Sequence, residues 1–148
     1  MNDTATSKPY GLGDASFQAA GGEAGIRAWV GDFYDIMAAN PAYARLDALH
    51  TGDPDTAKDK LARFLCGWLG GPRRYREKYG PINIPAAHGH LAVTQREHDE
   101  WLACMDEALA RQPFAEDFKR YVIAQLAVPA GVILARVQAG KGVTAPAG

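Results

Sequence analysis

Three of the four histidines in this 148-residue chain fall within one stretch, NIPAAHGHLAVTQREHDEWLACM, at residues 83–105. Imidazole is a common metal ligand, so His88, His90 and His98 could form a metal site. A structural zinc site usually needs four ligands in paired short spacings, and the two cysteines lie in helical patterns away from these histidines. We therefore expect either surface or hydrogen-bonding histidines, or one histidine that binds a group other than zinc.

Helices must position these side chains, because apolar residues recur at helical spacing along most of the chain. The first long helix should end before Pro41, whose ring disfavours helical geometry in the preceding residue. Its apolar face comprises Ile26, Trp29, Val30, Phe33, Tyr34 and Met37. The second should begin with Asp53 as N-cap and Pro54 in the first turn, and end at Gly70-Gly71-Pro72. Its face comprises Ala57, Leu61, Phe64, Leu65, Trp68 and Leu69.

Two further helices are predicted nearer the C-terminus. Thr94 and Glu97 have the spacing of a capping box, which starts the third helix. The fourth begins near Pro113, and Pro129 within it should kink or break it. No segment alternates apolar and polar residues with the period of a strand. We therefore predict an all-α fold with four main helices.

The segment between the second and third helices, residues 72–89, shows no helical pattern. A long irregular stretch inside a compact domain is uncommon and is often functional. Residues 1–14 and 140–148 have the small and polar composition of loose termini, so we predict a flexible N-terminal extension and a flexible C-terminal tail. Residues 15–139 then form one domain.

The composition is that of a soluble globular protein, with 47% hydrophobic and 22% charged residues. A net charge of −1 argues against nucleic-acid binding. No apolar run approaches the ~20 residues that span a bilayer, and the N-terminus lacks a signal-peptide pattern, so we expect a cytoplasmic protein with no membrane contact. Cys66 and Cys104 are too few for a disulfide scaffold and should be small buried hydrophobes.

Several short motifs follow one another across residues 19–137. They are Gly21-Gly22, Phe33-Tyr34, Phe64-Leu65, Trp68-Leu69-Gly70-Gly71-Pro72 with Tyr75, His88, and Trp101-Leu102-Ala103-Cys104-Met105. In this order they resemble the truncated haemoglobins, specifically group II of that family. The resemblance implies a two-on-two helical sandwich around haem b, with His88 as the proximal iron ligand. Globin haem iron is held by one imidazole nitrogen, and the other ring nitrogen usually donates a hydrogen bond that fixes the ring.

The resemblance also assigns a distal side to the haem pocket. The residues implied there are Tyr34, His50, Ala57, Leu61 and Trp101. Bound dioxygen acquires partial negative charge, so the Tyr34 O–H and the Trp101 N–H would slow its escape by donating hydrogen bonds. Plain core packing is the alternative role of these two aromatic residues. Ala57 and Leu61 cannot donate, and the small Ala57 side chain could leave an entry route open.

Four more residues are implied to contact the cofactor. Phe64 and Leu65 would pack against the ring. Lys60 and Tyr75 would anchor its carboxylates, although Lys60 could equally be a solvated helix residue.

His50 has three candidate roles beside the distal pocket. It could donate to Tyr34 or to a bound ligand, act as a sixth iron ligand in the ligand-free protein, or be solvated. As an iron ligand it would lower the apparent affinity for external ligands, which would have to displace it.

The sequence departs from the family's pattern around the proximal histidine. Gly89 and His90 stand where an apolar residue and a proline are common, and Ala87 replaces a frequent basic residue. His90 is therefore an alternative iron ligand. Otherwise we expect His90 and His98 to be exposed.

The resemblance implies a haem protein that reversibly binds dioxygen and other diatomic ligands such as CO and NO. Oxidation of NO to nitrate, or reaction with peroxide, would be a second activity, supported by a reductase. The alternative is a cofactor-free globin-like sensor or interaction module, which needs no imidazole at residue 88. A peroxidase-like enzyme ranks lower, because only His50 could serve as its distal acid or base. The chain could be a monomer or a homodimer.

Overall fold

A computed structural model describes residues 9–49, 53–81 and 94–144, with side chains placed up to residue 135. All regular structure in these ranges is helical, which confirms the predicted all-α class. The helices are α1 (Ala15–Ala19), α2 (Gly22–Ala39), a 3-10 turn (Pro41–Tyr43), α3 (Ala44–Ala48), α4 (Pro54–Trp68), α5 (Arg74–Tyr79), α6 (Gln95–Ala110) and α7 (Glu116–Thr144).

Local capping chemistry sets the helix starts that the sequence predicted. The Asp53 carboxylate accepts a hydrogen bond from the Thr56 backbone N–H at 3.0 Å and so caps α4. At α6, the Glu97 carboxylate accepts from the Thr94 backbone N–H at 2.9 Å, while Thr94 Oγ1 accepts from the Arg96 N–H at 3.2 Å. Both caps satisfy backbone donors that have no partner within the helix.

The core lies where α2 packs against both α4 and α6, and where α6 packs against α7. These contacts form two helix pairs, α2 with α4 and α6 with α7, which give the predicted two-on-two arrangement. The largest fully buried side chains include Trp29, Phe33, Leu65, Met105 and Phe118. Each removes its apolar surface from water, which is worth about 1.5–3 kcal/mol per side chain.

Both cysteines are buried and unpaired, as predicted. The Cys104 thiol donates to the Phe33 carbonyl at 3.4 Å, and burial raises the pKa of that thiol to about 12. Burial also raises the pKa of Cys66. Neither thiol is therefore ionised near neutral pH.

Three boundaries differ from the sequence prediction. The segment predicted to be irregular contains the short helix α5. Helix α7 continues through Pro129 without a break. The proline removes the hydrogen bond to the Gln125 carbonyl, but Gln125 is exposed, so water can take that bond. The same helix runs to Thr144 and so includes the start of the predicted tail, residues 140–148.

Helix α7 is long and apolar enough over Glu116–Ala135 to meet a length and composition criterion for a membrane span. Lys119 and Arg120 interrupt that stretch, which is why the sequence showed no continuous apolar run. Phe118, Val122 and Leu126, by contrast, are buried in the protein core. Helix α7 thus forms one wall of the core.

Gly70 terminates α4 in a backbone conformation that other residues rarely adopt. Its φ angle is +91°, and a Cβ added there would lie 2.0 Å from the Gly13 carbonyl oxygen. Next to it, the Phe17 N–H donates to the Leu69 carbonyl at 3.0 Å, which docks α1 on the end of α4. A side chain at residue 70 would separate these segments.

We expect Gly70→Ala to lower the free energy of unfolding by about 2 kcal/mol or more, because it combines backbone strain with a clash. Gly31→Ala is the matched control. Gly31 lies inside α2 with open space around its Cβ position, so alanine should raise stability by about 0.5–1 kcal/mol. Urea unfolding of both variants measures this, and equal effects would contradict the prediction.

Candidate functional site

An incompletely buried apolar wall runs across α2, α4 and α6. Its side chains pack against the core and remain only partly buried; they are Tyr34, Leu61, Phe64, Trp68, Trp101 and Leu102. Large apolar side chains that remain partly accessible on three adjoining helices are typical of a ligand site. We call this set the apolar wall.

Tyr34 and Trp101, the two predicted distal donors, contact the same buried ring. Phe33 lies edge-to-face with Tyr34, at 5.1 Å between centroids, and with Trp101, at 5.8 Å. Such edge-to-face pairs are favourable because the positive ring edge meets the negative face. The structure therefore brings Tyr34 of α2 and Trp101 of α6 into one neighbourhood.

Burial raises the pKa of Tyr34 to about 12. The low-polarity surroundings disfavour the phenolate, so the hydroxyl keeps its proton near neutral pH. Tyr34 is therefore a hydrogen-bond donor under physiological conditions.

The α4 residues predicted to line the site differ in their burial. Ala57, Leu61 and Phe64 are half-buried, whereas Leu65 is completely buried in the core. Phe64 also stacks on Trp68, with ring centroids 6.3 Å apart. Contact of Leu65 with a cofactor stays a prediction. Trp68 is a wall residue that the sequence analysis placed on the apolar helix face but not among the cofactor contacts.

Lys60 and Tyr75, the two predicted carboxylate-binding residues, both contact the ring of Tyr79. The exposed Lys60 ammonium lies 5.3 Å from the Tyr79 ring centroid, and the Tyr75 ring lies 5.1 Å from the same ring. Lys60 is thus a cation resting on an aromatic face. The sequence analysis missed Tyr79, although its spacing of four residues from Tyr75 places both on one helix face.

The candidate iron ligands His88 and His50, and the alternative His90, lie outside the described residues. Their assignments remain predictions. His98 is described, and it is less exposed than expected, with 15% of its side chain accessible. Its Nδ1 lies 2.9 Å from the Asp99 carboxylate.

Polar contacts join α6 to the 3-10 turn and to α3. The buried Tyr43 hydroxyl donates to the Glu107 carboxylate, and burial together with this carboxylate raises the pKa of Tyr43. Arg45 lies 3.9 Å from the Glu97 carboxylate. These contacts fix the chain that leads towards His50 against the helix that carries Trp101.

The raised pKa of Tyr34 predicts a specific loss of stability in alkali. In the unfolded chain a phenol ionises near pH 10, about two pH units earlier than Tyr34 does in the folded protein. Between these values the unfolded state binds fewer protons, so the free energy of unfolding falls as pH rises. Tyr34→Phe should make that fall shallower.

Urea unfolding between about pH 9 and pH 12 measures this slope. Tyr121→Phe, which changes a half-buried tyrosine of α7, is the control. A slope for Tyr34→Phe equal to that of the wild type would contradict the prediction.

Comparison with known proteins agrees with this geometry. The family model of the bacterial-like globins matches residues 15–130. The group 2 truncated hemoglobin YjbI of Bacillus subtilis (strain 168) is 27% identical over 117 residues, covering 79% of this chain and 86% of that protein.

Solved structures agree in fold as well. The group II 2-on-2 hemoglobin of the plant pathogen Agrobacterium tumefaciens superposes with a TM-score of 0.75 and 30% identity, covering 80% of this chain and 92% of that one. A truncated oxygen-avid haemoglobin from Bacillus subtilis superposes with a TM-score of 0.72 and 25% identity, covering 80% and 98%. This chain therefore belongs to the bacterial-like globin family and has the two-on-two fold of the truncated haemoglobins.

Proposed function

We propose that this protein binds haem b against the apolar wall, with His88 as the proximal iron ligand, and reversibly binds dioxygen and other diatomic ligands, including CO and NO. Membership of the globin family implies the haem. The observation that carries the proposal is the partly buried aromatic surface shared by α2, α4 and α6. A flat, mostly apolar macrocycle is the kind of ligand that such a surface buries.

The residues present fit the cofactor on chemical grounds. Phe64 and Trp68 offer stacked rings to its apolar body, and Lys60 and Tyr75, grouped around Tyr79, offer a cation and a hydroxyl to its carboxylates. His88 lies in the chain between α5 and α6 and supplies the imidazole. Haem brings an iron centre that binds small ligands and exchanges electrons.

Tyr34 and Trp101 give the site its selectivity for ligands that carry partial negative charge. Both belong to the wall and both contact Phe33, while the Tyr34 hydroxyl keeps its proton. Donors held in a low-polarity pocket act more strongly than donors in water. We therefore infer that the pocket holds dioxygen tightly, and the relative from Bacillus subtilis described as oxygen-avid supports this inference.

His50 keeps its three proposed roles, as a donor, a sixth iron ligand or a solvated residue. The same pocket and a reductase would support oxidation of NO to nitrate or reaction with peroxide as a second activity. We also propose that the protein is cytoplasmic. It is either a monomer or a homodimer.

Haem binding through His88 is tested by the absorption spectrum of the purified protein in its ferric, ferrous and CO-treated forms. We expect a stoichiometric Soret band that responds to CO, and its loss in His88→Ala. His98→Ala is the matched control, because His98 pairs with Asp99 at the start of α6. If His88→Ala retains haem as fully as His98→Ala does, His88 is not the iron ligand and His90 takes its place. If the wild-type protein takes up no haem, the cofactor-free interaction module becomes the better explanation.

The same spectra test the role of His50. A low-spin ferrous spectrum before CO addition, converted to high spin by His50→Ala, would assign His50 as the sixth ligand.

Removal of either distal donor should speed dioxygen release. For Tyr34→Phe and Trp101→Phe we expect dissociation rate constants about 5–30-fold higher, which corresponds to one lost hydrogen bond of about 1–2 kcal/mol. Stopped-flow displacement of dioxygen measures these rates. Tyr121→Phe on α7 should leave them unchanged, and unaltered rates in both distal variants would remove the proposed donor roles.

A further inference from the structure

Asp59 of α4 accepts hydrogen bonds from four side chains on three helices. Its Oδ2 atom accepts from Tyr79 at 2.7 Å and from Lys78 at 2.9 Å. Its Oδ1 atom accepts from Arg27 at 3.1 Å and from Arg63 at 3.0 Å. One carboxylate, only 19% exposed, therefore joins α2, α4 and α5.

The hydrogen bond from Tyr79, with those from Lys78, Arg63 and Arg27, holds the pKa of Asp59 well below its usual range despite the opposing effect of burial. Asp59 is thus ionised throughout the neutral range. Because the carboxylate is ionised, these bonds are charge-assisted and stronger than neutral ones.

The bonds to Lys78 and Tyr79 hold the last turn of α5. Helix α5 ends at Tyr79, and the chain then leads through residues 82–93 to the capping box that starts α6. That box is itself tied to α3 by Arg45 and Glu97. The described residues on either side of residues 82–93 are therefore held, by Asp59 at the end of α5 and by the Thr94–Glu97 cap at the start of α6.

The negative charge of Asp59 also offsets a group of neighbouring positive side chains. Without its carboxylate, Arg63 and Lys78 would lose the anion to which both donate, while Arg27 would keep its pairing with Glu23 at 3.0 Å. The two freed cations would repel one another. The end of α5 would move away from α4 to relieve this.

We propose that Asp59 is a positioning residue for the proximal side of the haem site, which holds the end of α5 against α4 and so fixes where the chain towards His88 begins. This proposal rests on the proposed function. Asp59 acts through Lys78 and Tyr79, the two α5 side chains that donate to it.

A pair of variants separates this role from general stability. The double variant Lys78→Met with Tyr79→Phe removes both hydrogen bonds from α5 to Asp59. It keeps the aromatic ring beside Lys60, and it keeps the hydrogen bond from Arg63 to the Arg74 carbonyl at the other end of α5. Arg27→Gln is the control, because it cuts the link from Asp59 to α2 and leaves α5 attached.

Two readouts on the holoprotein decide the matter: the rate of haem transfer to excess apomyoglobin, and the iron–histidine stretching band in the resonance Raman spectrum of the ferrous form. We expect the double variant to release haem about tenfold faster and to shift or broaden that band, because two charge-assisted hydrogen bonds are lost. Arg27→Gln should lower urea stability without changing either readout.

Wild-type rates and an unshifted band in the double variant, or equal changes in Arg27→Gln, would overturn the proposal. Haem uptake by the wild type and by His88→Ala distinguishes this failure from failure of the proposed function. If His88→Ala loses haem while the double variant behaves as wild type, only the role of Asp59 is rejected. If the wild-type protein takes up no haem, the proposed function fails and the role of Asp59 fails with it.

Discussion

The burial of Phe33 in the middle of α2 is the contact on which the rest of the structure depends. Its ring is fully enclosed, it meets Tyr34 and Trp101 edge to face, and its backbone carbonyl accepts a hydrogen bond from Cys104 of α6. A single residue thereby fixes the spacing of α2 and α6. Because interiors are close-packed, a change of volume at this position would be transmitted directly to both candidate distal donors.

Polar contacts complete what apolar packing cannot specify. Apolar burial is non-directional, so it pulls helices together without fixing the position of their ends. In this protein the ends are held by individual charges and caps: Asp53 at α4, Thr94 with Glu97 at α6, and Asp59 at α5. Long apolar helix faces thus form the apolar wall, and capping and charged side chains hold the ends of the helices.

The parts of the fold that sequence predicted are those decided by neighbouring residues. Caps at Asp53 and Thr94 and the stop at Gly70 involve residues within a few positions of one another, so their chemistry is visible in the sequence. Helix α5 was missed because RYREKY has no apolar periodicity. Its Lys78 and Tyr79 side chains donate hydrogen bonds to Asp59, which lies 19 and 20 residues earlier in the chain. Arg27 is 32 residues from Asp59, a separation at which spacing carries no signal.

The candidate site divides in the same way. Helical spacing placed Tyr34 and Trp101 on apolar faces, and the structure brings both to Phe33. Spacing alone could not separate Phe64, which remains partly accessible, from the fully buried Leu65, because the burial of adjacent residues on a helix depends on which other helix covers them. The roles of His88 and His50 came from family resemblance, since a lone imidazole has no local signature of its partner.

The docking of α1 on the end of α4 sets an order of events during synthesis. The Phe17 N–H finds its acceptor, the Leu69 carbonyl, about fifty residues later in the chain, beside the close approach of Gly13 to Gly70. Helix α1 therefore has no surface to dock on until the whole of α4 and its glycine turn have left the ribosome. During that interval Phe17 is exposed, and α1 docks only after α4 is complete although it is made earlier.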